Sequence, residues 1–336
     1  MTHAKPARFA LFAHPLGWIV LLCLISLAGF VTALNSGSLP FTLRDYLSVF
    51  GASETSLARQ VILELRLPRA LHAFITGGLL AVAGALLQVL LRNPLAEPYV
   101  LGISGGAAVF ALCAMLLGLT GLLVSGAAFA GALLAMLLVF GLSRGAGSWS
   151  PVRLLLTGIV LAAGWGAVIS FILSIAPQAQ LRTLLFWLMG DLGFAQSLWP
   201  GALALFAGVA LVLAHARNLN VLALGSSQAS ALGVQVARLR WQIYLMASLL
   251  TALAVVQAGS IGFVGLIIPH LLRLLGLRDH RWLIPGCVLA GGSLLVFADT
   301  LARSLFAEIV LPVGVLTAAL GVPVFIFLLY RGNKTL

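Results

Sequence analysis

The chain has 336 residues, of which 62% are hydrophobic and only 8% are charged. Because a soluble domain carries about 25% charged residues, this composition excludes a water-soluble fold and indicates a surface embedded in membrane lipid. The net charge of +11 does not indicate nucleic acid, since the lysines and arginines are scattered between apolar runs without clustered stacking aromatics. The sequence therefore predicts a single polytopic membrane domain over residues 1–336.

A helix needs about 20 mostly apolar residues to cross the hydrocarbon core, and polar or Pro/Gly-rich breaks mark the loops. On this criterion the chain is predicted to be all-α, with ten membrane spans. The eighth is short and contains Pro269, so it is expected to be kinked or broken. The predicted spans cover residues 16–34, 67–91, 99–118, 121–142, 153–175, 196–214, 241–258, 261–276, 283–302 and 308–330.

The distribution of Lys and Arg predicts the orientation of these spans, since cytoplasmic loops carry an excess of both residues. An even number of spans places both termini on one side. With the termini inside, the inner segments hold thirteen Lys and Arg and the outer segments hold six. The sequence therefore predicts cytoplasmic termini, with residues 16–34 retained as a first span and not cleaved as a signal peptide.

Two predicted connections are long enough to form structure of their own, outer residues 35–66 and inner residues 216–240. In the inner connection the run SSQASALG predicts one short helix that ends at Gly233. This connection is either a solvated link or a docking segment, and its apolar residues favour a covering partner. A separate amphipathic run, residues 181–192, is too short to span and is expected at the outer interface, with Trp187 at that depth.

No catalytic constellation is found in the sequence. Its eight Asp and Glu residues fall in no metal-binding or nucleophile motif, so neither a metal site nor a cofactor is predicted. Both lysines, Lys5 and Lys334, lack the preceding glycine that a nucleotide-binding P-loop requires. An intramembrane enzyme is disfavoured, because the spans do not provide a paired acid, base or nucleophile.

The alternative hypothesis is an ion-coupled secondary transporter, which would place ionisable residues near mid-membrane. The predicted spans are nearly bare of such residues. Asp299 and Arg303 are four residues apart and are interpreted first as a mutually neutralising helix pair. His270 lies near an inner helix end, where capping or packing is favoured over ion ligation.

Four segments carry the most distinctive strings of the chain. They are RLPRALHAFITGGLLAVAGALLQVLLRNPLAEPYVLGISGGA (66–107), LNVLALGSSQASALGV (219–234), GSIGFVGLIIPHLLRLLGLRDHRWLIPG (259–286) and LPVGVLTAALGVPVFIFLL (311–329). Together these strings resemble the FecCD-type family, the iron-chelate and cobalamin permeases of bacterial ATP-binding-cassette (ABC) importers. The ordered set extends over about 265 positions and is far more specific than any one string.

The resemblance implies the permease fold of a type II ABC importer in the bacterial inner membrane. It implies a homodimer that works with two cytoplasmic ATP-binding subunits and a periplasmic substrate-binding protein. The cargo would be a ferric siderophore, haem or cobalamin, among which the sequence does not choose. The lack of a P-loop agrees with ATP hydrolysis on a separate subunit.

The resemblance also implies roles for individual outer residues. Arg66, Arg69 and Arg303 are expected to pair with glutamates of the binding protein, as charge pairing orients an encounter between proteins. The alternative for Arg66 and Arg69 is anchoring at the membrane interface.

On the inner side, the resemblance implies an ATPase-coupling surface and a gate. The coupling surface is expected at Leu224, Gly225, Ser226, Ala229, Ala231, Leu232 and Gly233. The acidic residue that the family usually carries after the Leu-Gly step is replaced by Ser226 or Ser227. The inner gate is expected at Ser148, Trp149, Ser150 and Pro151, of which Trp149 and Pro151 depart from the small hydroxyl residues expected there.

Overall fold

The computed structural model describes residues 14–37, 57–144, 150–194, 197–306 and 310–332. Within them all regular structure is helical, as the sequence predicts. Short 3-10 turns lie at Pro98–Leu101 and Leu192–Phe194. The α-helices in chain order are α1 Pro15–Asn35, α2 Leu57–Leu91, α3 Ile103–Leu116, α4 Leu122–Arg144, α5 Pro151–Ile175, α6 Gln178–Met189, α7 Trp199–Ala214, α8 Ala216–Leu224, α9 Ser226–Ala231, α10 Val236–Ala258, α11 Val264–Leu274, α12 His280–Ser304 and α13 Val313–Gly332.

Each of the predicted spans contains an apolar helix, but the helices differ in length. Within the described ranges six helices are long and apolar enough to cross a membrane: α1, α2, α4, α5, α10 and α12. α7 and α8 together form a seventh candidate that is bent by 61°. α3, α11 and the apolar part of α13 are shorter, so several spans are less regular than hydropathy alone indicates.

The eighth predicted span corresponds to α11, which is short but continuous through Pro269, so the helix is not broken at the proline; the irregular backbone lies before it, at residues 259–263. α10 ends at Ala258, α11 begins at Val264, and Phe263 between them has a left-handed φ of 71°. A proline cannot donate to the carbonyl four residues earlier, which here belongs to Gly265. The Gln88 side-chain amide donates to the carbonyls of Gly265 and Leu266 at 3.4 and 3.1 Å. α11 therefore continues through its proline because α2 satisfies the freed backbone group.

α2 is the central helix of the bundle, with 89% of its most apolar stretch buried within the chain. Its glycines allow two other helices to approach closely. A Cβ atom at Gly77 would lie 2.1 Å from the carbonyl oxygen of Gly291 in α12, and one at Gly84 would lie 1.9 Å from that of Gly265 in α11. Small residues of this kind permit the backbone contacts that stabilise helix pairs in membranes.

α5 lies at the periphery, since only 11% of its most apolar stretch is buried within the chain. Large apolar side chains such as Val160 (70% exposed) and Phe171 (62%) project from it. A soluble protein rarely exposes an apolar surface of this extent, so the outside of the bundle agrees with the lipid environment that the composition predicts.

We predict that Gly84→Ala destabilises the bundle, because the new methyl group would overlap a backbone carbonyl that no rotamer change can move. Overpacking of this kind costs about 1–3 kcal/mol. Thermal unfolding of the detergent-solubilised chain measures the effect. The matched control is Gly126→Ala in α4, where a Cβ atom has open space, and it should unfold at or above the wild-type temperature. Equal unfolding temperatures for the two variants would contradict the packing argument.

Candidate functional site

Residues 216–240, the coupling segment, form two short helices and the start of a third. α8 and α9 are separated by Gly225, whose φ of 142° and ψ of 153° lie outside the helical region. Chain direction changes again at Gly233, with φ +80°. The predicted single helix ending at Gly233 therefore corresponds to α9 alone, and residues 236–240 already belong to α10.

Most of the predicted coupling residues are exposed, Gly225 and Ser226 are half-buried, and one is fully buried. Leu224 and Leu232 are 70% and 68% exposed, and Ala231 and Gly233 are exposed beside them. Ala229, in contrast, is fully buried in the chain's own core. Its position differs from the predicted contact surface, because the inward face of α9 packs on its own bundle. Leu224 and Leu232 are therefore placed to contact a partner protein, whereas Ala229 is not.

Ser226, the first residue of α9, accepts hydrogen bonds from side chains of two other helices, α2 and α10. The Nη2 atom of Arg92, at the end of α2, donates to Ser226 Oγ, and Nη2 of Arg240 in α10 donates to the same atom at 2.5 Å. Arg92 has a left-handed φ of 50° and caps α2. Two cations therefore converge on one neutral hydroxyl group.

A cavity of about 670 Å³ lies beside this serine, between the end of α2, α8 and the turn before α12. Arg92, Arg273 and Arg278 line it, and Leu224 and Gly225 form part of its wall. Arg273 donates to Gln88 Oε1 and, at 3.4 Å, to the carbonyl of Ala85. The cavity is thus strongly basic.

Asp279, which also lines this cavity, already accepts hydrogen bonds from other groups of the chain. It caps α12 by accepting from the Arg281 amide at 2.9 Å, and it accepts from Asn220 Nδ2 at 2.7 Å. Although partial burial acts to raise its pKa, these hydrogen bonds hold the pKa of Asp279 below its ordinary value. The carboxylate is therefore charged at neutral pH, with its hydrogen bonds directed at the turn itself.

An ionic cluster lies at the opposite end of α2. Asp299 of α12 is 1% exposed and accepts from Arg69 Nη2 at 2.9 Å and from Arg303 Nε at 3.1 Å. Arg69 also reaches Asp191 at 3.2 Å. The pairing of Asp299 with Arg303 agrees with the helix-pair interpretation, and Arg69 adds a link from α2. The predicted docking residues Arg69 and Arg303 are thus 22% and 16% exposed and paired within the chain.

Arg66 differs from the exposed outer position expected for it. It is 5% exposed and lies in the π-helical part of α2, residues 61–66. Its Nη1 atom donates to the carbonyl of Leu34 at 2.6 Å, near the end of α1. A guanidinium group there also meets the negative end of the helix dipole. Arg66 therefore joins α1 to α2, and its docking role stays a prediction.

The predicted gate is only partly covered by the structure. Ser148 and Trp149 lie outside the described residues. Ser150 is the N-cap of α5, and its carbonyl accepts from the Leu154 amide at 3.0 Å. Pro151 occupies the first helical position, where its missing N–H and fixed φ suit a helix start. These two residues define where α5 begins, and their gating role stays a prediction.

The amphipathic run predicted at residues 181–192 lies largely in α6, which ends at Met189, and Trp187 is not exposed on its surface. It is 2% exposed, because the end of α6 packs on the break after α10. A Cβ atom at Gly259 would lie 2.2 Å from the Trp187 carbonyl oxygen. α6 therefore supports the interior of the bundle.

Sequence reasoning missed a polar cluster inside the bundle. Thr76 Oγ1 donates to Gln257 Oε1 at 3.3 Å, and both residues, together with His72, are buried. Gly201 makes room for the amide, since a Cβ atom there would lie 1.8 Å from Gln257 Nε2. The sequence signal was the isolated His and Gln in otherwise apolar helices. None of the three is a carboxylate that would bind a coupling cation.

The described part of the chain is thus an all-α bundle of apolar helices in which two short helices, α8 and α9, connect α7 to α10. The model of the FecCD transport family matches residues 22–331. The chain belongs to this family.

Two curated relatives are similar to the chain over nearly their full length. The hemin transport system permease protein HmuU of Yersinia pestis is 40% identical over 327 residues, which cover 95% of this chain and 96% of HmuU. The vitamin B12 import system permease protein BtuC of Salmonella typhi is 39% identical over 322 residues, which cover 94% of this chain and 96% of BtuC.

Two solved structures share the fold. One, described as an inward-facing conformation of a metal-chelate type ABC transporter, has a TM-score of 0.83 and 30% identity, covering 95% of this chain and all of its own. PsaBC from Streptococcus pneumoniae has a TM-score of 0.52 and 17% identity, covering 77% of this chain and 90% of its own, and supports the fold alone. The chain is thus a multi-pass ABC permease of metal-chelate type, a transport subunit and not an enzyme.

We predict that Asp299→Asn destabilises the chain by about 3–5 kcal/mol, because it leaves the Arg69 and Arg303 charges unbalanced beside a buried site. Asp191→Asn removes one longer, partly exposed contact and should cost about 1 kcal/mol. Chemical or thermal unfolding in detergent micelles measures both. If the two variants lose equal stability, Asp299 is not the centre of the cluster.

Proposed function

We propose that the chain is the permease of a bacterial importer that moves a metal chelate from periplasm to cytoplasm, driven by separate ATP-binding subunits. The observation that carries this proposal is the near end-to-end similarity to a hemin permease and to a vitamin B12 permease. Haem and cobalamin are therefore the first cargoes to test, and a ferric siderophore is the third. All three are bulky planar or chelated metal complexes.

In this proposal the chain lies in the bacterial inner membrane. The Arg92 end of the bundle faces the cytoplasm, and both termini are on that side. The excess of Lys and Arg in the segments assigned to that side supports the orientation. The exposed leucines of the coupling segment would contact an ATP-binding subunit. A second copy of the chain would complete the pathway, and a periplasmic binding protein would deliver the chelate.

The ion-coupled alternative is disfavoured by the polar groups of the bundle. The buried cluster of His72, Thr76 and Gln257 contains no carboxylate. Asp299, the most deeply buried acid of the described residues, is paired with two arginines, and the half-buried Glu97 accepts from the Phe263 amide. Both carboxylates are thus engaged within the chain, whereas a cation-coupled site would need one free to bind the ion.

The test is reconstitution in proteoliposomes with the cognate ATP-binding subunits and the binding protein loaded with haem, cobalamin or a ferric siderophore. Uptake should require ATP and should survive ionophores that collapse ion gradients. The chain alone should hydrolyse no ATP, because neither of its lysines follows a glycine. Uptake without ATP-binding subunits that stops when an ionophore is added would favour the secondary transporter.

We predict that Leu224→Ser with Leu232→Ser weakens binding of the ATP-binding subunit. A leucine side chain that becomes buried on binding contributes about 1.5–3 kcal/mol, so each loss should lower affinity about tenfold or more. Binding is measured with the chain in lipid nanodiscs. Leu142→Ser, at the equally exposed end of α4, is the control and should bind normally. Normal binding by the double variant would show that the coupling segment is only a connector.

We propose that the binding protein docks at the Asp299 end, where Arg303 is the most suitable contact. Its Nη2 atom is buried and has no hydrogen-bond partner within the described residues, so a glutamate of the binding protein would satisfy it once the side chain, 16% exposed, turns outward. We predict that Arg303→Gln weakens docking and reduces its salt dependence, while Arg69 keeps Asp299 paired. Titration of the binding protein at several salt concentrations measures this. Unchanged affinity in low salt would restrict Arg303 to its internal pair.

A further inference from the structure

Arg92 and Arg240 share an acceptor, and among the described residues no carboxylate pairs with either of them. They come from α2 and α10, and both donate to Ser226 Oγ. Two like charges held at one hydroxyl group repel each other, and an anion that enters beside them would relieve this repulsion.

The chain's own acid in this region is not available to them. Asp279 lines the same cavity as Arg92, but its hydrogen bonds go to Asn220 and to the Arg281 amide. Arg273 and Arg278 add two further positive charges to the cavity wall. The cavity is therefore complementary to an anionic group that comes from outside the chain.

The position of the arginines identifies the molecule that would supply this group. Ser226 begins α9, and Gly225 and the exposed Leu224 form the cavity wall next to it. The basic pair is thus continuous with the leucine surface assigned above to the ATP-binding subunit. An anion carried by that subunit would enter as the leucines become covered.

We propose that a carboxylate side chain of the ATP-binding subunit inserts beside Ser226 and pairs with both Arg92 and Arg240. The inference rests on the proposed function, which assigns this subunit to the coupling segment. A carboxylate accepts hydrogen bonds from two guanidinium groups at once, and such charge-assisted bonds are about twice as strong as neutral ones. The contact would attach the partner directly to the end of α2, the central helix of the bundle.

The test uses the full chain in nanodiscs and the purified cognate ATP-binding subunit as the probe. Arg92→Gln with Arg240→Gln should lower affinity about tenfold or more at low salt and flatten its salt dependence. The matched control is Arg153→Gln with Arg281→Gln, which removes two exposed arginines on the same predicted side but outside the coupling segment and should retain both properties. Equal losses in the two double variants would indicate general attraction and overturn the specific pair.

A second pair of variants tests the same point without removing an arginine. Ser226→Asp supplies an internal carboxylate that should occupy both guanidinium groups and weaken binding of the subunit. Ser226→Ala leaves the arginines unoccupied and should bind close to the wild type. If the arginine double variant fails to fold, the comparison of Ser226→Asp with Ser226→Ala tests the proposal in its place. Equal affinities of these two variants for the subunit would overturn it.

The outcomes separate this inference from the proposed function. Unchanged binding by the Arg92/Arg240 variant, together with loss of binding by the Leu224/Leu232 variant, would overturn the carboxylate contact and leave the ATPase partner in place. Failure of any ATP-binding subunit to bind the unmodified chain would remove both proposals. If the arginine effect disappears in purely zwitterionic nanodiscs, the anion is a lipid headgroup and the inference is wrong.

Discussion

The close approach of α2 to its neighbours is the constraint on which the bundle depends. Lipid tails are as apolar as leucine, so burial of leucine provides little force for helix association within a membrane, and contact geometry must provide it. The glycine contacts with α12 and α11 let α2 occupy the centre of the fold. Over its length from Arg69 to Arg92, roughly 35 Å at 1.5 Å per residue, α2 connects the ionic cluster to the coupling segment. Both candidate functional ends therefore depend on the placement of one helix.

The irregular backbone after α10 is stable because neighbouring side chains satisfy it. Glu97 accepts from the Phe263 amide at 2.6 Å, and the Tyr99 hydroxyl accepts from the Ile261 amide at 2.8 Å. Gln88 performs the same role for the carbonyl groups around Pro269. Non-helical backbone in a membrane protein requires such internal partners, since the lipid provides none. This accounts for polar residues in a chain that otherwise carries few.

Hydropathy and resemblance predicted the all-α fold, the location of the helices and the family, because these depend on long runs of residues. They did not predict which side of a short helix faces inward. Ala229 and Trp187 were assigned to surfaces, yet both are buried, since tertiary packing decides the orientation of α9 and α6. Arg66 was assigned to docking from its place in the string RLPR, and the contact with Leu34 that buries it joins residues 32 positions apart. Such contacts leave no periodic signal in the sequence.

The two ends of α2 are electrostatically different, and under the proposed function this difference would separate the kinds of contact made with the two partner proteins. At one end, the charges of Arg69 and Arg303 are largely neutralised by Asp299 and Asp191 within the chain. At the other end Arg92 and Arg240 both donate to the hydroxyl group of Ser226, and within the described residues neither pairs with a carboxylate. A balanced cluster favours brief, exchangeable docking, because its arginines return to their internal partners. An unbalanced pair favours a lasting contact, because dissociation restores the repulsion between the two guanidinium groups.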